Sequence, residues 1–301
     1  IPLLQSLNQS KQLPAAIIFI DDHSTDHSIE VIQQNLLIPF QIISSSKQGK
    51  KHAIAKGISV ANTEFVLTMD ADVRFENDYF DQLTKLSKVD MQILPVKMHA
   101  NSWKILFELD VYMVNSINLL ASELNRPIAA SGANLLFAKK AYLSASNLEN
   151  HQHIPSGDDQ FLLADFVKNK KEIQLQCDAK FAVTTPVPDS LKDLIAQRLR
   201  WIQKTPHVKD RFALKIGAIQ VLSTLVFLVV GAMSLIASPC WFFVLLATKT
   251  GLDLLVVAPY FKAIGKTKRL IFLPFYELLF PFYTLFLALA SLLYKPSWKG
   301  R

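Results

Sequence analysis

The chain changes character along its length, from short apolar runs separated by amphipathic stretches to long, nearly continuous apolar segments. Five short apolar runs before residue 205 are predicted to be strands: 15–21, 40–44, 64–70, 91–98 and 134–138. Helices are expected between them, which is the pattern of a largely parallel sheet covered by helices. The first part of the sequence therefore predicts an α/β domain built from βαβ units.

Two later segments are long enough to cross a membrane. Residues 212–237 and 240–261 are each predominantly apolar, and about 20 such residues span roughly 30 Å of hydrocarbon. Lys249 and Asp253 lie inside the second segment, where isolated charges are costly. Because they are four residues apart on a predicted helix, they are expected to pair.

A third apolar segment, 270–294, contains Pro274, Glu277 and Pro281. Its topology is left open between a kinked crossing, an interfacial helix and a re-entrant segment. The predicted domain plan is a catalytic domain over 1–189, an amphipathic interface helix over 190–211, and a membrane region over 212–301 with two to three transmembrane helices.

Composition supports a membrane protein more than a nucleic-acid-binding one. The 301 residues are 50% hydrophobic and carry a formal charge of +7. Basic residues flank the apolar segments, as is typical of a cytosolic membrane surface. No nucleic-acid partner is therefore expected. Cys177 and Cys240 lie in segments of different character and are interpreted as ordinary thiols.

Acidic pairs follow two of the predicted strands. Asp70 and Asp72 end the run EFVLTMDAD, and residues two apart in a strand project to the same side. Two such carboxylates can share a hard cation, Mg²⁺ or Mn²⁺, with substrate phosphates completing its coordination. The alternative is that these aspartates only begin a surface turn.

Asp21 and Asp22 end the run AAIIFI, and the carboxyl ends of strands are where α/β sheets bind ligands. The alternative is that the acids from Asp22 onward cap the next helix. The stretch 47–58 places Lys50 near a predicted helix start, where it could meet the base or phosphates of a nucleotide. It lacks the glycine spacing of a Walker loop and could equally be a solvated basic turn.

Asp158 and Asp159 precede an apolar helix, so each is either a helix cap or a general base aimed into the crevice. On the predicted helix 191–204, a further set of residues shares one face: Gln197, Arg200 and Trp201. An arginine suits a diphosphate and an indole suits a sugar. An interfacial helix anchored by Arg and Trp is the alternative interpretation.

The ordered set DDHSTD, GKKHAIAKGI, DAD, GAN (132–134), SGDD and QRLRW resembles family 2 glycosyltransferases. The resemblance covers nearly all of residues 1–205, and the apolar segments that follow resemble the membrane-bound branch of that family. It implies a GT-A fold, the Rossmann-like fold of nucleotide-diphospho-sugar transferases, followed by C-terminal transmembrane helices. It also implies an inverting single displacement that uses a nucleotide-sugar donor, expected to be a UDP-sugar.

The resemblance implies a role for each matching residue. Asp22, with Asp21, would contact the nucleoside near Lys50, and Asp70 and Asp72 would hold the ribose and the metal. Asp159 would be the base for the acceptor hydroxyl, with Asp158 beside it as a substrate-binding acid. The Q-x-x-R-W motif would bind the diphosphate and shape the acceptor side through three residues: Gln197, Arg200 and Trp201.

The family's first strand and its asparagine-glutamate segment are not found, so we expect a chain truncated at its N-terminus. The preferred function is transfer of one sugar, of hexosyl type, to a lipid or lipid-linked acceptor at the cytosolic face of the cell membrane. A saccharide acceptor, as in processive synthases of the cellulose, chitin or hyaluronan type, is the nearest alternative. A non-catalytic nucleotide-sugar-binding protein and a sugar nucleotidyltransferase are the more distant ones.

Overall fold

The structure is a computed structural model that describes residues 1–100, 102–145, 151, 154, 157–208 and 210–293. Over these residues the chain forms two compact units. The first, called here the sheet unit, comprises residues 1–99 and 129–186. The second, called the helical unit, comprises residues 100–128 and those from 187 onward.

The regular elements are numbered in chain order. The strands are β1 (Ile18–Asp21), β2 (Gln41–Ser44), β3 (Phe65–Met69), β4 (Met91–Ile93), β5 (Val96–His99), β6 (Asn134–Ala138), β7 (Ile173–Leu175) and β8 (Val183–Pro186). The sheet unit's helices are α1 (Pro2–Asn8), α2 (Ser28–Asn35), α3 (Lys50–Val60), α4 (Tyr79–Leu83), α6 (Lys139–Leu143) and α7 (Asp158–Lys168). The helical unit's helices are α5 (Ile105–Glu123), α8 (Leu191–Val208), α9 (Arg211–Ala237), α10 (Pro239–Ala263) and α11 (Leu273–Leu293).

Within the described residues the strands pair in three groups. A sheet of order β3-β6-β4-β7 forms the centre, and the parallel pairs β1-β2 and β5-β8 complete the set. β6 runs antiparallel to both β3 and β4, whereas β4 and β7 are parallel. The sheet unit is therefore mixed, with one reversed strand in its central sheet.

Each of the five predicted strand regions contains strand residues, and 134–138 matches β6 from end to end. The predicted run 91–98 is divided into β4 and β5, with Pro95 between them. Proline has no N–H to donate to a ladder, so it ends the pairing there. β7 and β8 were not predicted, since both are short.

A buried polar residue holds the start of β6. Asn134 is fully buried and donates hydrogen bonds from Nδ2 to the carbonyls of Pro95 (2.8 Å) and Phe181 (2.9 Å). Its Oδ1 accepts from the hydroxyl of Tyr79, which is also fully buried. Buried polar groups are tolerated when they are satisfied in this way. The contacts fix the segment just before β6, which contributes to the candidate site.

Four helical segments of the described chain are long and apolar enough to cross a membrane: Ser102–Glu123, Arg211–Ala237, Pro239–Ala263 and Thr267–Leu293. The two segments predicted to cross the membrane, 212–237 and 240–261, coincide with α9 and α10. The third predicted segment forms a 3-10 turn, Thr267–Phe272, followed by α11, which contains Pro281. Tyr294 and the basic residues after it lie outside the described residues.

The segment Ser102–Glu123 falls within the predicted catalytic domain, 1–189, and in the structure it belongs to the helical unit. Its buried acid, Glu108, is paired within that unit. Glu108 is fully buried and lies 2.7 Å from Lys266 Nζ and 3.1 Å from Arg269 Nε. Removing one partner of such a pair leaves an uncompensated buried charge, which costs about 3–5 kcal/mol. The ion pairs therefore tie α5 to the segment between α10 and α11.

Candidate active site

Three of the predicted residues meet where β1, α3 and β3 come together. The N–H of Gly49 donates a 2.7 Å hydrogen bond to Oδ1 of Asp22. Gly49 has φ of +121°, a conformation that favours glycine, and it directly precedes α3. Lys50 is the first residue of α3, and its Nζ lies 2.8 Å from Oδ1 of Asp70. The loop before α3 thus links the two acidic strand ends.

A second group of site residues comes from the start of α7. Asp158 and Asp159 occupy the first turn of that helix, after Gly157. Oδ2 of Asp159 accepts a 3.1 Å hydrogen bond from the N–H of Gly132. A Cβ at position 132 would lie 3.1 Å from Oδ2 of Asp158 and 3.5 Å from Nζ of Lys50. Any larger residue at position 132 would require Oδ2 of Asp158 to move by a few tenths of an ångström.

Asp159 combines a position in the first turn of α7 with a contact to a loop outside that helix. Gly157 occupies the N-cap position, and no side chain there accepts a capping hydrogen bond. Asp159 instead directs Oδ2 toward Gly132, while its Oδ1 accepts from the N–H of Gln160 at 2.8 Å. Carboxylates in a first helical turn are also favoured by the helix dipole. The side chain is therefore fixed at both oxygens in a position beside Lys50 and Gly132.

The charges around Lys50 keep it protonated. Burial opposes its positive charge, but the nearby carboxylates of Asp158, Asp70 and Asp159 outweigh that effect and raise the pKa of Lys50 above its usual value. Burial and the charge of Asp158 raise the pKa of Tyr142 to about 12. At neutral pH the site therefore contains a fixed cation beside three carboxyl groups, and Tyr142 is a neutral phenol.

A cavity of about 230 Å³ adjoins this cluster. Asp158, Asp159 and Gly132 line it together with Thr68 and Tyr142. Lys51 also lines it, but its Nζ donates to the carbonyl of His151 at 2.6 Å and lies 4.5 Å from the centroid of Phe161. Closed ligand pockets usually enclose about 300–1,000 Å³, so the cavity has room for part of a nucleotide-sized ligand.

The remaining predicted acids of the sheet unit lie at the same strand ends. Asp21 closes β1, and its Oδ1 accepts from the N–H of Ser24 at 3.1 Å. Asp72 is exposed in the turn that follows β3. Both positions match the prediction that acids gather at the carboxyl ends of strands.

The donor atoms near Asp70 and Asp72 suit a hard divalent cation of the Mg²⁺ or Mn²⁺ type. Across the described ranges, no group of three or more His, Cys, Asp or Glu side chains is arranged to hold a metal ion by itself. A cation held by one or two carboxylates and completed by phosphate oxygens needs no such group. The residues present fit a metal that arrives with a phosphate-bearing ligand.

The Q-x-x-R-W residues belong to the helical unit, on α8. Trp201 is 41% exposed, and Gln197 and Arg200 are half-buried. Arg198, which was not predicted to have a role, is almost completely buried, at 4% exposed. Its Nε lies 2.9 Å from Asp110, and its guanidinium lies 4.4 Å from the Trp201 ring centroid. It lies four residues after the buried Leu194, which places it on the same buried face of α8.

The fold agrees with the family found by comparison. The chain matches the glycosyl transferase family 2 model over residues 2–99. It also matches the glycosyl transferase family group 2 model over residues 65–294. The second match covers most of the chain, and the protein belongs to the family 2 glycosyltransferases. Its sheet unit has the GT-A fold that the resemblance implied. No curated protein gave a significant match.

Several solved structures resemble the chain at low identity. A mannosyltransferase, PcManGT from Pyrobaculum calidifontis, in complex with GDP-Man and Mn²⁺, is 16% identical, with 91% of this chain and 81% of that one covered and a TM-score of 0.48. Glucosyl-3-phosphoglycerate synthase from Mycobacterium tuberculosis, in complex with Mn²⁺ and UDP-glucose, is 14% identical over 67% and 74% of the two chains, with a TM-score of 0.41. TarS of S. aureus is 14% identical over 66% of this chain and 36% of its own, with a TM-score of 0.41.

Proposed function

We propose that the protein is an inverting glycosyltransferase of hexosyl type that transfers a sugar from a nucleotide-diphosphate sugar to the hydroxyl of a lipid or lipid-linked acceptor. The donor is a UDP-sugar, and the reaction takes place at the cytosolic face of the membrane. Family membership supports the general reaction. The proposal adds the donor, the acceptor class and the roles of individual residues.

The observation that carries the proposal is the convergence of Asp70, Gly132, Asp158 and Asp159 around Lys50. These residues come from four separate parts of the chain, and the pKa of Lys50 is raised by its acidic neighbours. Structural ion pairs can also perturb a pKa, but here the perturbed group lies beside a cavity. Such an arrangement supports a site for a polar, charged substrate.

Asp159 is the proposed general base. Hydrogen bonds from Gly132 and Gln160 hold its carboxylate in place, and it lines the cavity where an acceptor could reach it. It takes the proton of the acceptor hydroxyl as that oxygen forms its bond to the anomeric carbon of the donor sugar. The bond from that carbon to the diphosphate breaks in the same step, and the nucleoside diphosphate leaves with both bonding electrons. One displacement inverts the anomeric configuration.

The donor-binding roles follow the sequence predictions. Asp21 and Asp22 bind the nucleoside, and Lys50 and Asp158 bind polar groups of the donor. The three carboxyl groups around Lys50 exceed its single positive charge, so a diphosphate would be repelled unless further positive charge came with it. Mg²⁺ or Mn²⁺ bound by Asp70 and Asp72 would supply that charge as a Lewis acid.

The Q-x-x-R-W residues complete the proposal. Arg200 and Gln197 bind the leaving diphosphate, and Trp201 contributes to the acceptor side. Trp201 is exposed, so its indole is available to a sugar or to the membrane interface. Four helices able to span a membrane support an acceptor that resides in the bilayer.

Incubation of membranes containing the full-length protein with a panel of radiolabelled nucleotide sugars, with and without EDTA, tests the proposal. Products are separated into lipid-extractable and polymeric fractions. Metal-dependent label in one discrete lipid product is the expected result. Label in long polymer would replace the lipid acceptor with a saccharide one and a processive reaction. Absence of transfer from every donor, by protein that still binds a nucleotide, would contradict a catalytic function.

A further inference from the structure

The helical unit contains a cavity of about 330 Å³ among α5, α9, α10 and α11. Most of its wall is aliphatic or aromatic, for example Val226, Val230 and Phe280. Val226 and Leu252 line the cavity and are 52% and 60% exposed, respectively. In a membrane-spanning helix such exposed apolar surface faces lipid. A lipid could therefore enter the cavity from the bilayer.

One part of the wall is charged. Lys249 Nζ lies 2.6 Å from Oδ2 of Asp253 and also pairs with Oε2 of Glu277. It lies 5.5 Å from the centroid of the Phe227 ring. All four of these residues line the cavity. Within the helical unit Lys249 is therefore already engaged by two carboxylates and an aromatic face.

The charged part of the cavity wall also contains a hydrogen-bond acceptor without a donor. Glu277 is 1% exposed, and its Oε1 has no hydrogen-bond partner among the described residues. A buried acceptor without a partner costs about 1–3 kcal/mol, so a bound group that donates a hydrogen bond would be favoured there. Lys249 is already engaged by both carboxyl groups, so the cavity offers no uncompensated positive charge to an anion such as a phosphate.

We propose that this cavity binds an uncharged lipid alcohol, with its hydroxyl donating to Oε1 of Glu277 and its acyl chains along the apolar wall. The hydroxyl supplies the missing donor, and the absence of a phosphate avoids an anion without a compensating positive charge. Ser223 and Gln220 also line the cavity and offer further polar contacts to the glycerol or a similar head group.

The cavity is connected to the helix that carries the Q-x-x-R-W motif. Tyr276 lines the cavity, and its hydroxyl lies 3.5 Å from Oδ1 of Asp110. Asp110 forms the ion pair with Arg198 on α8. A lipid alcohol beside Tyr276 and Glu277 therefore contacts the same packed group of side chains that holds Arg198.

Photo-crosslinking to the full-length protein in phosphatidylcholine nanodiscs tests the proposal. The probe is a photoactivatable diacylglycerol. Two matched probes with the same acyl chains are its controls: a phosphatidic acid, and a diacylglycerol whose hydroxyl is methylated. Crosslinked peptides are identified by mass spectrometry. Binding is read directly, so the outcome does not depend on whether the protein transfers sugar.

The diacylglycerol is expected to label peptides of α9, α10 and α11 at least tenfold more than phosphatidic acid, a preference of about 1.4 kcal/mol. Methylation of the hydroxyl is expected to reduce labelling about fivefold, since one net hydrogen bond is lost. Equal or stronger labelling by phosphatidic acid, or by the methylated probe, would overturn the proposal.

Two kinds of variant locate the site. Val226→Trp fills the cavity and is expected to abolish specific labelling, whereas Val229→Trp, on the same helix but not in the cavity wall, is expected to leave it unchanged. Glu277→Gln keeps the side-chain shape and removes one negative charge. In this variant, labelling by diacylglycerol is expected to exceed labelling by phosphatidic acid by only about threefold or less. If Val226→Trp fails to fold, Glu277→Gln still tests the proposal. A ratio of diacylglycerol to phosphatidic acid labelling equal to that of the wild type would contradict the assigned role of Glu277.

Discussion

The backbone N–H of Gly132 donates to Oδ2 of Asp159, and the same glycine leaves room for Oδ2 of Asp158 at 3.1 Å from where a Cβ would lie. The loop before β6 therefore contacts the first turn of α7 at the two acids that the sequence pattern singled out. This close approach also brings Lys50 beside them. The GAN segment, 132–134, therefore lies beside the acidic residues of the site.

Gly132→Ala is expected to lower kcat by up to about tenfold, because a misplacement of about 1 Å can cost about 100-fold and the added methyl group requires a shift of only a few tenths of an ångström. The added methyl group would lie 3.1 Å from Oδ2 of Asp158, which directly precedes the proposed base, and in ordinary van der Waals contact with Nζ of Lys50. Steady-state kinetics in membranes measures the change. Gly217→Ala is the matched control, since no atom lies within 4 Å of a Cβ built there. A wild-type kcat for Gly132→Ala would show that the contact is not part of the reacting geometry.

Lys50→Met is expected to raise the donor KM about tenfold or more, because a charged hydrogen bond contributes about 1.5–3 kcal/mol. Lys50→Arg retains the charge and is expected to keep most of the affinity. Nucleotide binding by calorimetry and the kinetic KM are the two measurements. Equal KM values for the wild type and Lys50→Met would remove Lys50 from the donor site.

The pH dependence of Lys50 follows from the direction of its shift. Its pKa in the folded protein is raised above 10.5, the usual value. Its favourable contribution to stability is therefore fully present below the unfolded pKa and is lost only as the pH rises through the folded pKa. Between about pH 6 and pH 9 Lys50 does not titrate, so Lys50→Arg should leave the shape of the pH–rate profile unchanged. A new inflection in that range would contradict the assignment.

Asp72→Asn is expected to raise the metal concentration needed for half-maximal activity by about tenfold or more, since changes even outside the ligand set cost about 10- to 100-fold in metal affinity. Titration of Mn²⁺ into EDTA-treated membranes measures the shift. Glu76→Gln, an exposed carboxylate a few residues later, is the control. An unaltered titration for Asp72→Asn would place the metal elsewhere.

The ion pair between Arg198 and Asp110 should stabilise the helical unit. Arg198→Met is expected to lower the free energy of unfolding by about 3–5 kcal/mol, because it leaves Asp110 as a half-buried, unpaired charge. Adding Asp110→Leu to that variant should restore part of the loss. For comparison, Lys85→Met breaks an exposed pair with Asp81 and should cost about 1 kcal/mol or less. Thermal unfolding of detergent-solubilised protein provides the comparison, and equal costs for the two single variants would refute the structural role of Arg198.

Sequence patterns predicted the elements whose signal is local. The strands β1, β2, β3 and β6 lie in short apolar runs, two of which, β1 and β3, end at acids, and α9 and α10 are long and predominantly apolar. The pairing of Lys249 with Asp253 is likewise confirmed, since helical spacing alone places them together. Local periodicity was sufficient in each of these cases.

Other features depend on partners distant in the sequence. β7 and β8 are three- and four-residue strands whose pairing with β4 and β5 is not visible in a short pattern. The basic partners of Glu108 and Asp110 in α5 lie far along the chain, at Lys266, Arg269 and Arg198, so a local pattern does not reveal these ion pairs. The approach of Gly132 to Asp158 also joins segments far apart in the chain. The domain boundaries and residue roles remain predictions.

The role of Asp159 as the acceptor base is the central claim, and the kcat of Asp159→Asn tests it most directly. Full-length protein in membranes is assayed with saturating donor and metal, beside the wild type and Asp178→Asn, an exposed carboxylate of the same unit. The account predicts a loss of about 10²- to 10⁴-fold in kcat for Asp159→Asn, with donor affinity nearly unchanged and with Asp178→Asn close to wild type. Turnover by Asp159→Asn at the wild-type rate would contradict it.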